Sequence, residues 1–309
     1  MPSAPYYDWA IFAGVVAAAL AVDLLLFHRD EHAVGLKEAV IESAGWIGLA
    51  VAFSGWVSHS RGSAAGLEFL TAYVVEKALS IDNVFLFILI FAALGVPARS
   101  QHKVLFYGVA GALVFRGIFI WAGVELLREF RAVLYVFSAI LFITGMRMLV
   151  PRERTFRPER NWLVRLARFT LPTADHDVYE TFLVKESGRW KFTSLFIALI
   201  AVEAMDILFA VDSVPAVLAI TREPFIAYSS NAFAILGLRA LYFALAATLS
   251  RLRYLHQGLA IILLFVSAKM IAGERLHLST GISLGVVAGI LALTVLASTV
   301  SWGAKKAQK

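Results

Sequence analysis

The sequence predicts an all-α polytopic membrane protein of about nine helices, two sets of three being inverted copies of one another. Three observations lead there. Hydrophobic residues make up 60% of the chain and charged ones only 16%, with a mean hydropathy of +0.77, where a soluble domain carries about a quarter charged residues. Apolar runs recur at the length a bilayer demands, about 17–25 residues each. Two of these runs carry acids at one spacing: Glu76 and Asp82 followed by Asn83 and Val84, then Asp206 and Asp212 followed by Ser213 and Val214. An acid inside a membrane helix costs about 2.5–3.5 kcal/mol on insertion scales, so by default it marks a functional site.

The predicted spans lie near 9–27, 39–57, 66–94, 104–124, 131–150, 192–214, 229–249, 257–272 and 280–301. The first is apolar and N-terminal, but no small-residue cleavage site follows it. His28, Arg29, Asp30, Glu31 and His32 follow instead, so it reads as a retained span rather than a signal peptide. Asp23 and Glu42, in the first two spans, read as structural acids. The loops after spans 1, 3, 5 and 7 and the C-terminus hold most of the bases, among them Arg29, Lys103, the arginines of 152–168, Lys191 and Lys306. The opposite loops hold Arg61, Arg128, Arg131, Arg222 and Arg275. The positive-inside rule therefore puts the N-terminus outside and the C-terminus in the cytoplasm.

The organisation that results has two leading helices in 1–65, a first three-helix repeat in 66–150, and a basic cytoplasmic linker in 151–191. A second repeat fills 192–272, and 273–309 supplies the last span and a cytoplasmic tail. In the linker, Trp162, Leu163, Leu166 and Phe169 sit at helical spacing among bases, the pattern of a short helix lying on anionic headgroups. Polar and apolar residues alternate around Ser187 and Gly188, which predicts a small hairpin.

The repeat extends beyond the acids. A buried arginine follows each acidic span, Arg116 and then Arg239, and a buried base closes each unit, Arg147 and then Lys269. An odd number of spans per unit forces the second copy to enter the membrane from the opposite side, as in secondary transporters whose sites lie near the midplane. Acids six residues apart on one straight helix are separated by about 9 Å and point roughly 120° apart. Either two facing helices or a local break must therefore unite them. A two-fold axis in the membrane plane would put Glu76 level with Asp212 and Asp82 level with Asp206. Pro215 removes a backbone donor and suits a break. Glu203, three residues before Asp206, and Glu68 extend the acidic track.

A plainer account is that the acids neutralise Lys77, Arg116, Arg147, Arg239 and Lys269. That explains the bases, read here as charge partners or gate elements, better than it explains the clustering of acids with Asn83 and Ser213. The seven histidines fall in predicted loops or at helix ends, and the chain has no cysteine. That excludes disulfides and thiolate chemistry. The ligands left are carboxylate, amide, hydroxyl and carbonyl oxygens, which suit Mg²⁺, Ca²⁺ and Mn²⁺. Mn²⁺ and Ca²⁺ shed water more readily than Mg²⁺. The surplus acids have room for protons. An intramembrane aspartyl protease is disfavoured, since no Gly-x-Gly-Asp string occurs and symmetry matches the acids. No enzyme and no organic cofactor is expected. The net charge of +6 lies in loops flanking apolar segments and is no nucleic-acid signal.

The strings VEKALSIDNVF at 75–85, EAMDILFAVDSVPA at 203–216 and SNAFAILGLRALY at 230–242 strongly resemble the TerC family, in its longer, Alx-like branch. The likeness runs from about residue 10 to 300. It implies a bacterial inner-membrane protein of the LysE transporter superfamily that exports Mn²⁺. The implied ion-binding residues are Glu76, Asp82, Asn83, Glu203, Asp206, Asp212 and Ser213. A different reading stays open: a metal-loaded scaffold or sensor that assists insertion or metallation of envelope proteins, with 151–191 as its docking surface.

Overall fold

The computed structural model describes residues 5–26, 35–150, 162–174, 178–186, 188–246, 254–272 and 278–307. The side chain of Asp23, the arginines of 152–160, Arg251, Arg253 and Arg275 lie outside the described residues. Hydrocarbon offers no partner to a backbone amide, so spanning segments satisfy their own hydrogen bonds as helices. The described chain follows that rule. Its helices are α1 (Tyr6–Leu26), α2 (Leu36–Arg61), α3 (Ser63–Ala93), α4 (Ala98–Glu129) and α5 (Ala132–Leu149), then α6 (Trp162–Thr170) and α7 (Ser194–Leu218). After these come α8 (Pro224–Leu236), α9 (Leu238–Ala246), α10 (Leu255–Ala272) and α11 (Thr280–Ala307). The strands β1 (Leu183–Glu186) and β2 (Arg189–Phe192) pair antiparallel between α6 and α7, with Leu183 opposite Phe192.

Six of the described helices, α2, α4, α5, α7, α10 and α11, are long and apolar enough to cross a membrane. The bent pair α8 and α9 makes a seventh if counted as one span. Their outward faces are apolar, as lipid requires: Trp121, Val114 and Leu293 are exposed. The 31-residue α3 is kept out of that set by its own charges, Glu68, Glu76, Lys77 and Asp82. It is nevertheless central, packing on α2, α7, α8, α9 and α11, with Glu76, Asp82 and Asn83 buried.

Small residues set the closest helix approaches. Across α5 and α10, Ser138 and Ser267 each donate to the other's carbonyl oxygen at 2.9 Å. Nearby, a Cβ on Gly145 would lie 3.1 Å from the Ala260 carbonyl oxygen. Between α4 and α7, a Cβ on Gly108 would sit 3.2 Å from Val202, and one on Gly111 would collide with the Glu203 carboxylate.

Proline does not break α7. The helix runs through Pro215 to Leu218, because the ring removes one donor while Ala219 and Thr221 still bond to the Pro215 and Val217 carbonyls. The break falls at Gly237, where α8 and α9 bend by 41°. Lys77 enters this break, and its Nζ donates to the Ala234 carbonyl at 3.3 Å. A Cβ on Gly237 would stand 2.7 Å from that Nζ.

The hairpin forms where the alternation placed it, and α6 forms over the amphipathic stretch, with Val164 buried on α7. The segment leading into the hairpin is fastened to the α3–α4 turn. Tyr179 Oη donates to the Leu94 carbonyl at 2.8 Å, and Lys103 Nζ donates to the Glu180 carbonyl at 2.9 Å.

Candidate functional site

Arg116 of α4 projects between α3 and α7 and is completely buried. Its Nε and Nη2 donate to the two carboxylate oxygens of Asp206 at 3.2 and 2.9 Å. Its Nη1 donates to Glu76 Oε1 and, at 3.1 Å, to Ser213 Oγ. When the Asn83 amide donates to the Leu79 carbonyl at 3.2 Å, its oxygen accepts from Arg116 Nη2 at 3.2 Å. A guanidinium has five N–H donors in a fixed fork. Every one of them has an acceptor here. A buried charge is tolerable only when so fully partnered, and the four partners come from the two acidic strings.

These contacts place Glu76, Asn83, Asp206 and Ser213 in one sealed centre. Asp82 and Asp212 stand apart from it. The Asp82 carboxylate meets His256 of α10, with Nε2 3.1 Å from Oδ1. Asp212 accepts a hydrogen bond from Thr144 of α5 at 2.8 Å and lies within electrostatic reach of Asp82 and Arg147. The acids are thus grouped first with first and second with second, not crosswise as the symmetry argument expected. The reason is Arg116: its long side chain spans both helices and draws Glu76 and Asp206 onto one guanidinium. Glu203 rests on Gly111, its Oε2 buried without a partner, and lies within reach of the Asp206 charge.

The two halves treat their arginines differently. Arg239 pairs with Glu42 of α2 at 3.1 Å. Lys269 lies within reach of Glu68, and Lys77 serves the broken helix.

The sequence reading missed His256. Its position in the first turn of α10 made it a helix-end residue, and nothing in the local string tied it to an acid 174 positions earlier (256 − 82). An all-oxygen inventory of donors is therefore incomplete, because imidazole nitrogen stands at Asp82. Among the described residues no group of three or more His, Cys, Asp or Glu side chains is already arranged to hold a metal ion. Unused polar capacity is present at individual atoms among the described residues. Glu76 Oε2, Tyr73 Oη, Ser80 Oγ and the Asn231 amide are buried and lack protein partners.

Apolar helices that face outward around a sealed cluster of charge define a multi-pass integral membrane protein with a polar interior. The family model for the integral membrane protein TerC family matches residues 61–307, and the chain belongs to that family. An uncharacterised membrane protein of Myxococcus xanthus, STKORF319, is 45% identical over 292 residues, covering 94% of this chain and 92% of the relative. A protein of Escherichia coli K12 that carries the name of a candidate membrane-bound redox modulator, Alx, is 42% identical over 297 residues, covering 93% and 92%. An uncharacterised membrane protein of Rickettsia felis is 36% identical over 293 residues, covering 95% and 97%. No solved structure matches the chain.

Proposed function

We propose that this chain exports a divalent metal cation, Mn²⁺ in preference, from the cytosol across the bacterial inner membrane. The observation that carries the proposal is Arg116: a cation tethered to α4 already occupies a cradle built from both acidic strings. A cradle that holds one cation on carboxylate, hydroxyl and amide oxygens has the donor chemistry of a hard divalent ion. Glu76 Oε2, buried and unpartnered, is the acceptor to which a competing cation adds. In this reading Arg116 is the gate. It neutralises Glu76 and Asp206 when no cargo is bound and yields them when cargo arrives.

Packing supports two inverted halves. Exchanging α3 with α7, α4 with α8–α9 and α5 with α10 preserves the main contacts: α7 lies on α4 as α3 lies on α8 and α9, and α5 lies on α10. With the N-terminus outside, the nine-span topology puts Asp82 and the first turn of α10 on the cytoplasmic side. The Asp82 side chain is 11% exposed and His256 30%, against 0% for Glu76 and Arg116. Cargo is first met at Asp82, passes the sealed centre when Arg116 releases it, and leaves on the far side as the halves rock. Acids not needed by one ion carry protons the other way. Ligands must be deprotonated to bind, so cargo affinity rises with pH through the carboxylate range.

The test is Mn²⁺ flux into liposomes holding purified protein, followed by quenching of an internal dye. Asp82→Asn and Asp212→Asn should each abolish flux while the protein stays inserted. Unimpaired transport in both variants would refute the assignment. The scaffold reading draws on exposed aromatics of the cytoplasmic segment, Phe169 and Trp190, and on the relatives' redox-modulator name. With no cysteine in the chain, a redox effect has to run through metal supply rather than through its own thiols. A neutral linker in place of 151–191 spares flux in a transporter and destroys a scaffold.

A further inference from the structure

Resting on that reading, we infer that His256 is a specificity-determining ligand, giving the cytoplasmic mouth a mixed nitrogen–oxygen site that favours transition-metal ions over Ca²⁺ and Mg²⁺. The geometry is specific. His256 Nε2 lies 3.1 Å from Asp82 Oδ1, and the imidazole stands edge-on to Phe85, one helical turn from Asp82, with ring centroids 5.7 Å apart at 90°. Phe85 thus limits how the imidazole turns and holds Nε2 toward the carboxylate. Asp212, steadied by Thr144 at 2.8 Å, supplies a second carboxylate within electrostatic reach.

The pair is also more open than the sealed centre. Glu76 and Arg116 are fully buried, whereas His256 is 30% exposed. A cation settling on Asp82 displaces the imidazole from Oδ1. The neutral imidazole with its proton on Nδ1 presents the Nε2 lone pair to the ion. Imidazole suits Zn²⁺, Cu²⁺, Fe²⁺ and Ni²⁺, and of the three ions that oxygen ligands suit, Mg²⁺, Ca²⁺ and Mn²⁺, Mn²⁺ alone is a transition metal to which an added nitrogen gives an advantage. With two protein ligands and water completing the shell, binding is weak enough to release the ion inward. Such a mouth screens cargo before the sealed centre is opened.

The experiment uses the full-length protein, purified, loaded with Mn²⁺ and examined by pulsed electron paramagnetic resonance. Flux into liposomes is measured alongside, against excess Ca²⁺ and Mg²⁺. The expected result is nitrogen modulation on bound Mn²⁺ in the wild type, absent in His256→Gln. His256→Gln should also lose about tenfold in discrimination of Mn²⁺ from Ca²⁺, the scale of losing a metal-site partner, while keeping Ca²⁺ competition. A histidine that only props Asp82 gives no nitrogen modulation, and the wild-type spectrum alone decides that point even if the variant fails to insert. Asp82-dependent flux with neither nitrogen modulation nor a change in selectivity overturns the inference and leaves the transporter standing. Nitrogen modulation without flux keeps the ligand and removes the transporter.

Discussion

Arg116 and Arg239 follow the two similar acidic strings of the sequence, yet Arg116 is the one bonded to Glu76 and Asp206. Arg116 spends all five donors on residues of the two acidic strings. Arg239 instead donates to Glu42 of α2. A duplicated sequence therefore does not produce a duplicated site. The leading helix α2 has no counterpart in the repeat. By packing on α9 it offers Arg239 a partner that Arg116 does not have. On the proposed reading Arg116 supplies the gate, while Arg239 ties α9 to α2.

The largest expected effect breaks the first arrangement. Arg116→Leu leaves Glu76 and Asp206 buried without their cation, and removing one member of a buried pair costs about 3–5 kcal/mol. Thermal unfolding in detergent should show the loss, and adding Asp206→Asn should recover part of it. The middle effect sharpens the contrast. Arg239→Leu takes its cation from buried Glu42, a loss of about 1–3 kcal/mol, and should leave Mn²⁺ binding by the purified protein intact. If Arg239→Leu changes Mn²⁺ binding as strongly as Arg116→Leu does, the two arginines are equivalent and the asymmetry is wrong. The smallest effect tests the shared seam. Ser138→Ala removes the reciprocal bond to Ser267, and hydrogen bonds between membrane helices average about 0.6 kcal/mol. The unfolding midpoint should fall slightly with no change in flux.

What could be read beforehand follows from the signals available. Acids in apolar runs stand out against a background of Leu, Ile and Val, so Glu76, Asp82, Asp206 and Asp212 were legible, and so was Arg116 as a charge partner. Which acids it would join was not, because that depends on how far a guanidinium reaches across a helix pair. The hairpin at 183–192 was legible from period-two alternation. The helix break was misread at Pro215, since a proline can ride in a helix when its neighbours take the remaining carbonyls, whereas Gly237 yields because Lys77 and Trp46 crowd the space a side chain would need. His256 carried no local signal at all. Its meaning comes from an acid on another helix.

Arg116 and Asp206 are separated by 90 residues, Arg116 and Glu76 by only 40. At about 5–20 residues per second of synthesis, Asp206 follows Arg116 by roughly 5–18 s. In that interval the nascent chain already holds Glu76 and Arg116, one negative and one positive group that can enter the bilayer as a neutral couple. That couple is thus able to wait in the membrane without exposing either of its two charges alone to lipid, and Asp206 completes the guanidinium's partners only when α7 is inserted. The order in which the ribosome delivers these three residues matches the order in which the membrane can accept them.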